Sequence, residues 1–220
     1  MQNIKRTKFN VSILGESTVG KTSMCSVYLG NKFTDSTMFT IGLESTLIPI
    51  KFDGKQYKFK IFDTAGQERY RSISKSTINI ADGFLLVYAV DNIKTYETLE
   101  QWIQSIKEKC DINKKVLILV GNKIDKEKRE VTKEEASLFA KNNNIKYFET
   151  SAKDGTEIKE IFSLLFEEVY KKYIEIEKLE KEENEKYYSK ESKTPTVTLD
   201  DKEINKKTKK NKDGKNGGFC

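Results

Sequence analysis

The sequence predicts an α/β fold, a six-stranded, mostly parallel sheet with helices on both faces. Three observations predict it. A glycine-rich turn, Gly15 to Gly20, separates a strand-like run, Phe9–Leu14, from a helical one, Ser23–Leu29. Asp53-Gly54 divides two β-rich stretches, Ser45–Phe52 and Lys55–Phe62, as a hairpin turn does, which gives the sheet one antiparallel edge. From there to Tyr170, apolar strand runs alternate with amphipathic helical patterns.

The first turn carries the chemistry. Gly15-Glu16-Ser17-Thr18-Val19-Gly20-Lys21-Thr22 fits G-x-x-x-x-G-K-[ST] at every fixed position, with a strand before it and a helix after it. Strand, glycine-rich loop and helix N-terminus together make a cradle for phosphate groups. The glycines let backbone N–H groups turn inward with no side chain in the way. Lys21 is placed to reach the β- and γ-phosphates, and the Thr22 hydroxyl is a hard oxygen ligand suited to Mg²⁺.

A polar segment, Thr34 to Thr40, follows Phe33 and reads as a loop. In the hairpin's second strand Tyr57, Phe59 and Ile61 alternate as one packed face requires, and the strand ends in Asp63-Thr64-Ala65-Gly66-Gln67-Glu68-Arg69. An acidic residue at a strand's C-terminal end beside a phosphate loop suits the second Mg²⁺-side carboxylate. The Gly66 N–H is placed to sense a γ-phosphate, and the Gln67 amide to hold a water in line with it.

Phe84–Val90 is a buried strand, and Thr95–Lys109 is a helix with Tyr96, Leu99, Trp102, Ile103 and Ile106 on its inner face. Trp102 is expected to pack rather than to touch a ligand. Val116–Val120 is a further buried strand that delivers Gly121-Asn122-Lys123-Ile124-Asp125 at its end. The Asp125 carboxylate matches the two N–H donors of guanine, at N1 and the 2-amino group. Adenine offers neither, so the wrong base leaves buried polar groups unpaired. Asn122 is positioned to brace this loop, and the Lys123 stem to lie along the base. After a helix at Glu134–Lys141 and a short strand at Tyr147–Thr150, Ser151-Ala152-Lys153 offers backbone donors to the guanine 6-oxo group. The last core helix spans about Ile158 to Tyr170.

Composition narrows the function. Hydrophobic residues are 36% and charged residues 34% of the 220, enough for one sizeable core plus a polar tail. Histidine is absent, so imidazole catalysis is excluded, and Cys25, Cys110 and Cys220 form neither a disulfide framework nor a zinc spacing. No run approaches a membrane span, the N-terminal residues lack an apolar secretory core, and Gln2 stands where N-myristoylation needs glycine. The net charge of +6 is concentrated in 206–215, six lysines against one aspartate. No aromatic residue interleaves with those lysines, which argues against nucleic acid and for an anionic membrane surface.

With these motifs in this order, the chain resembles the Ras superfamily of small GTPases over about residues 8–170, a P-loop NTPase G domain. The resemblance implies a switch that binds GTP or GDP with Mg²⁺ and hydrolyses GTP slowly. It implies nucleotide contacts from Glu16, Ser17, Thr18, Val19, Gly20, Lys21, Thr22, Met24 and Cys25 in and after the first loop. Thr22, Thr40 and Asp63 are then the metal side, Gly66 and Gln67 the γ-phosphate side, with Gln67 catalytic. Phe33, Asn122, Lys123, Asp125, Ser151, Ala152 and Lys153 enclose the guanine. Residues 34–44 and 64–76 are the two switches that effectors read, and exchange factors and GTPase-activating proteins are the implied regulators.

Within the superfamily the Rab family is the most similar. Thr40-Ile41-Gly42 and Gln67 through Ile73 carry that likeness, as does the long tail. It implies vesicle traffic, a GDP-dissociation inhibitor or escort protein as partner, and a monomeric G domain on the cytoplasmic face of intracellular membranes, with a cytosolic pool. Three stretches depart from the Rab pattern: Ser45 for a Phe, Phe62 for a Trp, and Thr77-Ile78-Asn79-Ile80 for Tyr-Tyr-Arg-Gly. Ser17 and Thr18 also replace the two small glycines of the Ras loop. The alternatives are a Ras- or Rap-like signalling GTPase at the plasma membrane and a nucleotide-binding scaffold with little hydrolysis.

The expected organisation is an N-terminal extension (1–7), the G domain (8–172), a charged helical extension (173–193) and a disordered tail (194–220). The ending Gly217-Gly218-Phe219-Cys220 is not C-a-a-X. Cys220 resembles the single-cysteine endings that some Rabs have prenylated, and the lysine run supplies the second, electrostatic membrane signal.

Overall fold

The structure, a computed structural model, describes residues 6–35, 43–64 and 71–191, without the side chains of 71–75, 184 and 186–191. Thr40, Gly66, Gln67 and Cys220 lie outside the described residues, as do 36–42 of the first switch segment, 65–70 of the second and the tail beyond Glu191. Contacts divide the chain into two compact units, Met1–Glu177 and Lys178–Cys220.

Six strands build one sheet in the first unit: β1 (Lys8–Leu14), β2 (Leu43–Phe52), β3 (Lys55–Thr64), β4 (Gly83–Ala89), β5 (Val116–Asn122) and β6 (Lys146–Thr150). Their spatial order is β2-β3-β1-β4-β5-β6, with only β2 antiparallel to its neighbour. The expected sheet is therefore the observed one. Its hairpin turns on Asp53 (φ 49°) and Gly54 (φ 74°), both left-handed, as the tight turn between right-twisted strands demands.

Side-chain alternation sorts the core into two layers. Phe9, Val11 and Ile13 of β1, with Phe59, Leu85, Val87 and Ile118, pack against α1 (Lys21–Tyr28) and α6 (Ile158–Glu191). On the other face Phe84, Leu86, Tyr88 and Leu119 meet α2 (Arg71–Ile80), α4 (Leu99–Lys109) and α5 (Lys133–Asn142). All these side chains are fully buried. Helices on both faces leave the C-terminal strand ends free to carry loops.

Two helices differ from the pattern. The stretch expected as one helix, Thr95–Lys109, is two: α3 (Ile93–Glu97) and α4, separated at Thr98. Hydroxyls cause the break. Thr95 Oγ1 donates to the Asn92 carbonyl (2.7 Å) and Thr98 Oγ1 to the Thr95 carbonyl (3.0 Å), so local side-chain bonds compete with the helical ladder. The last helix runs unbroken from Ile158 to Glu191. Beyond Tyr170 its sequence supports it with spaced ion pairs, such as Lys171–Glu167 (2.6 Å) and, in the second unit, Lys178–Glu182 (3.9 Å). Among the described residues, no helix is long and apolar enough to cross a membrane.

Candidate functional site

Three loops leave the C-terminal ends of β1, β5 and β6 side by side, because those strands are parallel. The first, Gly15–Gly20, turns through three positive φ values, at Gly15, Thr18 and Gly20. Gly15 (φ 143°) passes so near β4 that a Cβ would lie 2.1 Å from the Val87 carbonyl oxygen. Gly20 (φ 98°) caps α1, and a Cβ there would lie 2.3 Å from Asn122 Nδ2. Neither position admits a side chain. Thr18 sits exposed at the loop's apex with φ 63°, while Val19 drops fully into the core and anchors the loop from below.

Lys21 opens α1 and curls back under this loop. Its ammonium donates to the carbonyls of Gly15 (3.0 Å) and Glu16 (2.7 Å), with only 5% of the residue exposed. Burial lowers its pKa to about 8, against the opposing pull of the Asp63 and Glu16 carboxylates. A phosphate set against it would restore the ordinary charge preference. Met24 and Cys25, one turn on, bury their side chains in the core, and the Met24 N–H is bonded to the Gly20 carbonyl. Burial pushes the Cys25 thiol well up, with Asp63 and Glu44 adding to it.

Asp63, at the end of β3, is bonded to Thr22. Burial raises its pKa, and the Thr22 bond and Lys21 act against that rise. Its Oδ1 is buried and, among the described residues, has no hydrogen-bond partner. Beside it opens a cavity of about 210 Å³ whose wall carries the oxygens of Thr22, Ser26, Asn31, Glu44, Ser45, Thr46 and Asp63 on one hand and Cys25, Leu29 and Ile61 on the other. A hard divalent cation suits this set: an unpartnered carboxylate oxygen, a hydroxyl next to it, and no soft ligand in its ionised form.

The second and third loops are joined to the first by a single side chain. Asn122, 1% exposed, donates through Nδ2 to the Val19 carbonyl of the phosphate loop (2.8 Å). Its Oδ1 accepts from Thr150 Oγ1 (3.1 Å) and from the Ala152 N–H (3.2 Å). Asn122 thus braces three loops, where the sequence indicated one. Asp125 Oδ1 accepts from Ser151 Oγ (2.8 Å), which fixes the carboxylate between the second and third loops. Lys123 holds a left-handed φ of 70°, and its ammonium lies 3.8 Å from Asp91 Oδ1. Phe33 leans on the α1–α6 core, and Lys153 is exposed at the loop's rim.

Two contributors escaped the sequence pattern. Asp91, just past β4, is the carboxylate facing Lys123. Trp102, expected to pack, does so at 3% exposure, and its indole Nε1 also donates to Glu16 Oε1 of the phosphate loop (3.3 Å). The two are 86 positions apart, and no spacing rule links them. The carboxylate of Glu16 is thereby drawn toward α4. Glu16 and Lys21 still couple electrostatically.

The arrangement brings together a glycine-rich loop over a buried lysine, a carboxylate with an unpartnered oxygen beside a hydroxyl, and a second carboxylate fixed between two loops. A family model described as Ras family matches residues 10–171, a span that begins in β1 and ends in α6 and takes in every loop above. The chain belongs to the Ras family of small GTPases.

Proposed function

We propose that the protein is a GTP/GDP switch of intracellular vesicle traffic, of the Rab kind. The observation that carries the switch is the Asn122 clasp: base loops and phosphate loop are one bonded unit, so a ligand must satisfy both ends at once. Asp125 selects guanine, and Ser151 orients it. Lys21 and the loop amides hold the phosphates. Thr22, Asp63 and Thr40 would hold Mg²⁺, which would supply positive charge to offset that of the phosphates. Gln67 orients the attacking water. Arginine from an activating protein completes the charge stabilisation, since the sequence offers no evident internal one.

The traffic assignment rests on Thr40-Ile41-Gly42, on Gln67–Ile73 and on the lysine-rich tail ending in Cys220. Its effector surface is unusual for that family. Ser45 is exposed on β2 opposite the buried Phe62, and Thr77 is buried with its hydroxyl 2.8 Å from that of Ser12. The large exposed hydrophobic side chains on β2 are Leu43 and Leu47.

The switch is tested by single-turnover hydrolysis of GTP with the wild type and Gln67→Leu. The expected wild-type rate is slow and the variant about tenfold slower, a loss of roughly 1.4 kcal/mol in transition-state stabilisation. Equal rates would leave Gln67 idle and favour a scaffold. The traffic branch is tested by in vitro prenylation of the full chain. Geranylgeranylation of Cys220 by the Rab transferase with its escort protein, and none by either C-a-a-X transferase, is expected. The reverse result would favour the Ras- or Rap-like reading at the plasma membrane.

A further inference from the structure

A line of polar side chains crosses the α4–α5 face of the sheet directly behind the base loops. Tyr88 on β4, Gly121 on β5 and Glu149 on β6 are register neighbours. Tyr88 Oη lies 3.0 Å from Tyr147 Oη, and Tyr147 Oη lies 2.6 Å from Glu149 Oε1. A carboxylate only accepts, so the Tyr147 hydroxyl donates a hydrogen bond to Glu149 and the Tyr88 hydroxyl donates one to Tyr147. Arg129 then closes the line: Nη2 donates to Glu149 Oε1, Nη1 to Oε2 (3.4 Å), and Nε to the Val131 carbonyl (2.6 Å). Burial raises the pKa of both tyrosines, Tyr88 to about 12, so both keep their protons at neutral pH.

Glu149 and Arg129, at one end of this line, fasten the guanine-side loops to each other. Arg129 belongs to the same connection as Asp125, between β5 and α5, and Glu149 lies two residues before Ser151. The connection is pinned to β6 at its near end by the Ile124 N–H on the Thr150 carbonyl (3.2 Å). It is pinned in the middle by Ser151 on Asp125, and at its far end by Arg129 on Glu149. The hydroxyl pair also occupies the space of a missing side chain. A Cβ on Gly121, the residue before Asn122, would lie 2.7 Å from Tyr88 Oη and 3.2 Å from Tyr147 Oη.

Resting on the guanine reading of Asp125, we infer that Tyr88, Tyr147, Glu149 and Arg129 form a positioning strap that sets base specificity by holding the Asp125 loop against Ser151. None of the four touches the base. Their effect is on the angle at which Asp125 meets the 2-amino group.

Inosine diphosphate lacks that amino group, so the affinity ratio of GDP over inosine diphosphate reads Asp125 geometry directly. The full chain is compared with Tyr147→Phe, Glu149→Gln and Arg129→Ala by equilibrium binding of GDP, GTP and inosine diphosphate, with thermal melting alongside. Each variant is expected to lower the GDP-to-inosine-diphosphate ratio by about three- to tenfold, on the scale of one net hydrogen bond. The GDP-to-GTP ratio should not move, because the phosphates are held elsewhere. Tyr147→Phe preserves volume and decides the matter if Glu149→Gln does not fold. A lower melting temperature with an unchanged GDP-to-inosine-diphosphate ratio overturns the strap and makes the residues merely structural. If the wild type itself has no preference for GDP over inosine diphosphate, the guanine reading of Asp125 fails first, and the strap with it.

Discussion

Asn122→Ala is expected to lower the stability of the protein by about 3–5 kcal/mol and its melting temperature by roughly 10 °C. The substitution strips partners from three groups at once: the Val19 carbonyl, the Thr150 hydroxyl and the Ala152 N–H. At 1% exposure of Asn122, water has little access to replace them. The three losses share one side chain, so they do not simply add. Nucleotide affinity should fall by about a hundredfold or more, since the loops would no longer be held in mutual register. Melting should be followed both without nucleotide and in excess GDP, because ligand binding stabilises by mass action and hides part of the loss. Asn122→Asp is the sharper control: it keeps the volume and the acceptor but cannot donate to Val19. A melting temperature within about 2 °C of wild type for Asn122→Ala would remove the clasp from the account, as that shift is under 1 kcal/mol for a chain of this size.

Asp125→Asn should change which base is bound while leaving the fold intact. The carboxylate presents two acceptors to the N1 and 2-amino donors of guanine. Asparagine presents one acceptor and one donor, which suits the N1–H and 2-oxo of xanthine. Ser151 can still donate to the remaining oxygen, so the loop keeps its anchor. A mismatched donor facing a buried donor is rejected by about 10⁴-fold where a site is built to hydrogen-bond its ligand. Competition of GDP with xanthosine diphosphate measures the exchange. If Asp125→Asn continues to prefer GDP, some other group reads the base.

What the sequence revealed and what it hid follow from the range of the interactions. The strands were legible because alternation is local: Tyr57, Phe59 and Ile61 declare one face within a few residues. The hairpin was legible because only Asp53 and Gly54 tolerate its left-handed turn. The phosphate loop was legible because two glycines are demanded by close approaches, to Val87 and to Asn122. By contrast, the division of α3 from α4 arises from two threonine hydroxyls that a hydrophobic pattern does not weigh. Arg71–Ile80 carries few apolar residues, three isoleucines among polar side chains; among its described side chains Ile78 is fully buried and Ile80 is exposed. Partners across the sheet were hidden most completely. Alternation tells that Tyr88 and Tyr147 face one side, but not that their hydroxyls meet. Asp125 could be picked out from a four-residue motif, whereas Arg129, four positions on, could not.

Trp102 has a consequence of a different kind. It is the sole tryptophan in the chain, and its indole nitrogen is bonded to the loop that cradles phosphate. Indole emission responds to hydrogen bonding at that nitrogen and to nearby charge. The protein therefore contains its own optical probe, bonded to a side chain of the glycine-rich loop itself. Exchange and hydrolysis can be followed on the unmodified chain in real time, with no labelled nucleotide to disturb the base pocket.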